Sequence, residues 1–142
     1  MLRRVKKLLA ATAAIMSVGA IILSGRLVRR YVVEGRSMLR AFAPGDRLLV
    51  ERLSLRWRPL RISDAVVVRW PNALARPSGS PGLDLKRIAA APGQTVTMVE
   101  GERVLGDDEW FVLGDNLDES TDSRQLGPVR TQDIVGRVWR KY

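Results

Sequence analysis

An uncharged apolar run near the N-terminus constrains this chain more than any other feature of its sequence. Leu8 to Leu23 contains sixteen residues without a charge, and Ser24 and Gly25 extend the run to eighteen. As a helix it would reach roughly 24–27 Å, slightly short of a hydrocarbon core of about 30 Å. Flanking arginines can snorkel, so we expect a retained transmembrane anchor within a basic leader over residues 1–30. A cleaved secretory signal is the alternative, because a basic start and a short alanine-rich stretch fit that pattern too.

The net charge of +9 is distributed very unevenly along the chain. Residues 1–36 contain eight basic side chains and one carboxylate, whereas residues 37–142 contain sixteen basic and fourteen acidic groups. A nearly balanced body behind a basic leader favours contact with membrane lipid and no binding of nucleic acid. Four basic side chains precede the apolar run and three follow it closely, which weakly favours a cytoplasmic N-terminus. We therefore expect a single-pass protein of the cell membrane, a bacterial plasma membrane, with its body on the extracytoplasmic side.

The chain contains no histidine and no cysteine. This composition excludes a Ser-His-Asp or Cys-His nucleophilic site, disulfide bonds and the usual zinc ligands. No metal or organic cofactor is implied. If a serine is a nucleophile here, a group other than imidazole must activate it.

The 142 residues suffice for one globular domain, which we place at residues 31–142. After a short extended entry at 31–34, short apolar runs between turn residues predict strands. These are 47–51, 65–70, 83–88, 95–99, 110–113 and 134–140, with a loop at 71–82 and a hairpin turn at 100–102. The predicted fold is all-β, with antiparallel strands coiled into a partly open, barrel-like body.

Four short segments carry the candidate chemistry, and each alone has an ordinary explanation as a turn or a wet strand. They are Glu34-Gly35-Arg36-Ser37-Met38 with Pro44-Gly45-Asp46, Ser63-Asp64-Ala65-Val66, Leu85-Lys86-Arg87-Ile88 with Pro92-Gly93, and Gly114-Asp115-Asn116 with Ser120-Thr121-Asp122-Ser123-Arg124. In this order and spacing they resemble the signal peptidase I family of Ser-Lys peptidases over about residues 31–142. The body is similar to the compact form of that family, which includes mitochondrial inner membrane proteases and the protease that matures nickel superoxide dismutase.

The resemblance implies a serine endopeptidase that acts on protein substrates with cleavable leader peptides and small residues before the cut. It assigns the nucleophile to Ser37 and the general base to Lys86, with the Ser120 hydroxyl orienting the Lys86 amine. The Ser37 backbone N–H would meet the oxyanion, because Gly35 stands where some members carry a second hydroxyl. Further positions near the site are Met38, which would contact substrate, and the supporting ion pair of Asp122 and Arg124.

The lysines support this assignment without the family. The chain has twenty arginines and four lysines, and Lys86 is the only lysine inside the predicted body apart from the penultimate residue, Lys141. Arginine keeps its proton in proteins, whereas a desolvated lysine can become a neutral base. Chance is the alternative explanation, since one lysine must lie somewhere.

A lysine base requires burial. At a pKa of about 10.4, only about one lysine in 2,500 is neutral at pH 7, so the site must lower the pKa of Lys86 toward 7. Met38, Phe42, the strand at 65–68 and the substrate are the candidate screens. Asp84 opposes this effect, because it projects to the same side of an ideal strand as Lys86. We expect that a twist or bulge separates the two, or that Asp84 pairs with Arg87 or Arg124.

The chain departs from the family pattern at several turns. The family usually continues Ser-Met-x-Pro-Thr-Leu, whereas Ser37 and Met38 are followed by Leu39-Arg40-Ala41-Phe42. Loss of the proline frees φ at position 40. Ser63 replaces a usual glycine, and Gln94 replaces a usual aspartate.

Two alternatives to a general processing peptidase stay open. One is a dedicated maturation protease for a single substrate such as nickel superoxide dismutase. The other is a catalytically silent homologue that binds extended peptides by strand addition. Retention of Ser37, Lys86 and Ser120 together argues against the silent form. A Ser-Lys repressor would need a DNA-reading domain in place of the span.

Overall fold

The computed structural model describes residues 28–71 and 82–142. The predicted apolar run at 8–25 and most of the predicted loop at 71–82 therefore lie outside the described residues, whereas residues 28–30 of the predicted leader belong to the first strand. Within the described ranges, no helix is both long and apolar enough to cross a membrane.

The described residues form nine β-strands with only short helical turns between them. The strands are β1 Val28–Val32, β2 Arg47–Glu51, β3 Ala65–Arg69, β4 Leu83–Ala90, β5 Thr95–Met98, β6 Gly101–Val104, β7 Glu109–Leu113, β8 Val129–Arg130 and β9 Ile134–Lys141. A four-residue α-helix spans Ser123–Leu126, and 3₁₀ turns span Leu53–Arg56, Leu117–Glu119 and Thr131–Asp133. The prediction of an all-β body is confirmed.

Seven strands form one antiparallel sheet in the order β1-β2-β9-β3-β4-β7-β8, and β5 and β6 form a separate hairpin. The pairing shifts register at three places, between Leu49 and Val50, between Val67 and Val68, and between Ile88 and Ala90. Such irregularities bend and twist a strand, so the sheet curls into a half-barrel. This arrangement is the partly open barrel expected from the sequence.

Strand β3 shows how the sheet buries both faces. Val66 and Val68 pack into one apolar cluster with Ile88 and Val112, whereas Val67 packs into another with Leu85. Successive side chains of a strand point to opposite faces, so a continuous valine run suits a strand covered on both sides. Strand β3 lies between β9 and β4 and fixes the position of the lysine-bearing strand.

The hairpin near residue 100 differs from the prediction in the position of its turn. Met98 pairs with Gly101, so the turn lies at Val99 and Glu100 and Gly101 already belongs to β6. Gly101 has φ +125, a backbone conformation that side chains rarely adopt. The turn was predicted at 100–102, but it lies at 99–100, because Gly101 is the first residue of β6.

Candidate active site

Ser37 lies in the loop that follows β1, and this loop is held from two sides. Met38 beneath it is 1% exposed, and its carbonyl accepts the Phe42 N–H at 2.8 Å. On the other side, Asn116 donates its backbone N–H to the Ser37 carbonyl at 2.8 Å and its side-chain amide to the Arg36 carbonyl at 3.2 Å. The backbone of the predicted nucleophile is thus attached to the turn after β7.

Lys86 lies on β4, opposite Val66 of β3, and is 2% exposed. Its Nζ lies 3.0 Å from Ser37 Oγ, which is hydrogen-bonding distance. A protonated amine donates in this pair, and a neutral amine can accept the hydroxyl proton instead. The two residues predicted as nucleophile and base are therefore in direct contact, although 49 positions separate them in the chain.

Ser120 is 8% exposed, and its Oγ has no hydrogen-bond partner among the described residues. The predicted bond from this hydroxyl to Lys86 is not formed in the structure. Ser120 packs instead against Gly114, where an added Cβ would collide with the Ser120 side chain and lie 2.6 Å from the Ser37 carbonyl oxygen. Because Gly114 has no side chain, Ser120 and the Ser37 backbone can both pack closely against it.

Asp122 and Arg124 form the predicted ion pair, with 2.9 Å between Arg124 Nε and Asp122 Oδ1. Asp122 also caps the Ser123–Leu126 helix and accepts the Gly114 N–H at 3.0 Å. Burial raises the pKa of this carboxyl, but the hydrogen bonds from Arg124 and Gly114 outweigh it and hold the pKa below its ordinary value. The pair supports the Gly114 turn and Ser120 and lies behind them.

Asp84 pairs with neither of the arginines proposed for it. Arg87 forms two 2.7 Å hydrogen bonds with Asp115, and Arg124 binds Asp122. Asp84 Oδ2 accepts the Trp70 indole N–H at 2.9 Å and lies 3.8 Å from Lys86 Nζ. No bulge separates Asp84 from Lys86, since both keep their regular pairing with β3. Nothing in the sequence indicated the contact with Trp70, which depends on how β3 and β4 align.

A cleft of about 390 Å³ opens over Ser37 and Lys86. Tyr31, Val33 and Gly35 line one side, and Leu83 and Leu85 of β4 line the other. A Cβ at Gly35 would have no atom within 4 Å, so the cleft is open at this position. Strand β1 is at the end of the sheet order, and β4 pairs with β7 only from Arg87 onward. Among the described residues, one edge of β1 and one edge of the first half of β4 therefore pair with no other strand.

Two departures from the family pattern have a structural counterpart. Arg40 has φ +96, which proline cannot adopt because its ring holds φ near −65°. The loop after Ser37 therefore follows a path that differs from one containing proline at this position. Ser63 has φ +76, a region where glycine carries no steric cost, in keeping with the glycine usual there.

The matches to known proteins identify the class as a serine endopeptidase. The sequence profile described as "Signal peptidase, peptidase S26" matches residues 3–109 and 97–142, and the chain belongs to this family. The "Probable signal peptidase I-1" of Synechocystis sp. (strain ATCC 27184 / PCC 6803 / Kazusa) is 32% identical, covering 82% of this chain and 74% of the relative. "Signal peptidase I" of Leptolyngbya laminosa is 32% identical, covering 87% and 75%. The "Mitochondrial ATP-independent inner membrane protease subunit 1a" of Arabidopsis thaliana is 36% identical, covering 75% and 68%.

Proposed function

We propose that this chain removes signal peptides or leader segments from exported proteins, using Ser37 as nucleophile and Lys86 as general base. The observation that carries the proposal is the 3.0 Å approach of Lys86 Nζ to Ser37 Oγ in a chain that has no histidine. The lysine is 2% exposed, and burial disfavours the charged form of an amine. Membership of the family is consistent with the same chemistry.

The reaction proceeds in two halves. Ser37 Oγ attacks the scissile carbonyl as its proton passes to the neutral Lys86 amine, and the resulting ammonium then protonates the leaving amine. Water attacks the acyl-enzyme in the second half, again with Lys86 as base. No described acceptor takes the Ser37 backbone N–H, so this donor can face the oxyanion.

The cleft favours an extended polypeptide as substrate. Its two free strand edges, from β1 and from the first half of β4, offer backbone donors and acceptors to a peptide that lies between them. Backbone recognition of this kind is largely independent of sequence. Side chains before the cut would lie against Val33 and Leu85, two of the apolar residues that line the cleft.

We also propose that residues 8–25 anchor the enzyme in the membrane, with the catalytic body on the extracytoplasmic face. The uncharged run and its basic flanks support this arrangement. An anchor confines enzyme and substrate to one surface and so raises their effective concentration. Washing membranes with alkaline carbonate tests the anchor, because a spanning protein stays in the pellet and a peripheral one is released.

The function is tested by incubating membranes that contain the full chain with a panel of preproteins. We expect shortened products whose new N-termini lie at the leader junctions, and no products with the Ser37→Ala variant. Cleavage of one preprotein alone, from a panel of unrelated leaders, would instead favour the dedicated maturation protease. Binding of leaders without any cleavage would identify the silent homologue.

Ser120→Ala is expected to lower the rate about tenfold to a hundredfold without abolishing it. The Ser120 hydroxyl is buried against Gly114, close to the Ser37 carbonyl, and we expect it to bond the Lys86 amine during the reaction. Loss of one such hydrogen bond costs about 0.5–1.5 kcal/mol, and an unsatisfied buried partner about 1–3 kcal/mol. Rate per folded molecule and melting temperature are measured on the same preparation. Thr121→Ala is the matched control, and an unchanged rate for Ser120→Ala would make Ser120 part of the scaffold only.

A further inference from the structure

The Asp84 carboxylate connects a buried tryptophan to the Ser37–Lys86 pair. One of its oxygens, Oδ2, accepts the Trp70 indole N–H at 2.9 Å and lies 3.8 Å from Lys86 Nζ. Trp70 is 3% exposed, so its indole is fixed by the core. The side chain of Lys86 is 3% exposed and that of Asp84 is 19% exposed.

This alignment follows from the register of two strands. Val68 of β3 pairs with Asp84 of β4, and Val66 pairs with Lys86, so the acid and the base lie on the same side of β4. Trp70 follows the end of β3 and reaches the carboxylate from the neighbouring strand. The pairing of β3 with β4 therefore places Asp84 between the Trp70 indole and the Lys86 amine.

We propose that Asp84 is a positioning residue for the Ser37–Lys86 pair, with its carboxylate aimed by Trp70. The inference rests on the proposed function. Asp84 directs the Lys86 amine toward Ser37 and stabilises the ammonium that forms when Lys86 takes the serine proton. Asp84 takes no part in the proton transfer: the proton moves from Ser37 Oγ to Lys86 Nζ as the Oγ–C bond forms, and from Nζ to the leaving amine as the C–N bond breaks.

Other titratable and charged groups near the site lie on β1, on the loop after it and on the segments that follow β4 and β7. Tyr31 and Glu34 line the cleft from β1 and its loop, and Arg36 and Glu119 form an ion pair at 3.4 Å across its rim. The remaining pairs, Asp122 with Arg124 and Arg87 with Asp115, are each internally neutralised. Asp84 differs from these groups because its carboxylate lies within ion-pair distance of Lys86, at 3.8 Å.

A neighbouring carboxylate has two opposite effects on the rate. It favours the ammonium, so the neutral base is reached only at higher pH, and it stabilises the ammonium produced during attack. Removing its charge should therefore move the rising limb of the pH–rate profile to lower pH, by about one to three pH units for an opposite charge at this range. The same change should lower the plateau rate about tenfold, because the amine loses its orientation and the ammonium loses its partner.

The test compares pH–rate profiles of the full chain in detergent micelles on a peptide that contains a leader junction. The variants are Asp84→Asn and Trp70→Phe, with Glu102→Gln on the exposed β6 as control. Asparagine keeps an oxygen that can accept the Trp70 N–H, so it removes the charge and spares the fold. For Asp84→Asn, we expect the rising limb to move to lower pH and the plateau rate to decrease. Trp70→Phe should show smaller changes in the same directions, and Glu102→Gln should show none.

A folded Asp84→Asn variant with the wild-type limb would overturn the inference while leaving the Ser37–Lys86 assignment intact. If Asp84→Asn does not fold, the profile of Trp70→Phe decides by the same criterion. The Ser37→Ala variant is run in parallel, since residual cleavage by it would show that the proposed function itself is wrong.

Discussion

Replacing Lys86 with methionine or arginine is expected to abolish cleavage while leaving the protein folded. Methionine fills the same space without a proton acceptor, and arginine keeps a positive charge that it does not give up. Groups that act as a unit with a nucleophile lose roughly 10⁴ to 10⁶ in rate when one is removed. We therefore expect rates at least about 10⁴-fold below the wild type for both variants, measured on a leader-junction peptide.

The two variants distinguish a requirement for a proton acceptor at position 86 from a requirement for a positive charge there. Lys86→Met removes the cost of burying the amine but also takes the ion-pair partner from Asp84, so the melting temperature should fall modestly while the protein stays folded. Lys86→Arg keeps the charge next to Asp84, so an inactive arginine variant shows that the charge alone is insufficient. Lys141→Arg, at an exposed ion pair with Asp46, is the matched control and should cleave normally. Substantial activity of Lys86→Arg would mean that another group is the base.

Gly114→Ala is expected to damage both folding and catalysis. The new methyl group would collide with the Ser120 side chain and lie 2.6 Å from the Ser37 carbonyl oxygen. Overpacking of this kind typically costs about 1–3 kcal/mol, and here the Ser37 side of the clash is backbone that cannot simply rotate away. A displacement of about 1 Å at the nucleophile is enough to lower the rate on the order of a hundredfold.

Denaturant unfolding and the rate per folded molecule are the two measurements for this variant. Gly106→Ala is the control, because its added methyl would lie 3.4 Å from the flexible Glu109 side chain, an ordinary contact. The control should change the free energy of unfolding by less than about 0.5 kcal/mol. If Gly114→Ala matched the control in both measurements, the close packing of Gly114 against Ser37 and Ser120 would be wrong.

Local sequence was sufficient to predict most of the strands and to identify the four short segments that carry the candidate chemistry. The bounds of β2 were predicted to the residue, because Arg47–Glu51 alternates between buried and partly exposed positions behind a Pro-Gly-Asp turn. Strands β6 and β8 were missed, since β6 is exposed throughout and β8 has only two residues. Neither carries the apolar pattern by which a strand is recognised.

Composition alone determined that a nucleophilic serine here could not depend on histidine, and the scarcity of lysine singled out Lys86. The sequence left open whether Asp84 lies away from Lys86, pairs with an arginine or lies next to Lys86. The register of β3 against β4 decides this. The same holds for the Asn116 bonds to the nucleophile loop and for the Gly114 contact with Ser120. A residue's type and neighbours follow from the sequence, but which distant groups meet is set by strand pairing and by the space that packing leaves, to within a few tenths of an ångström.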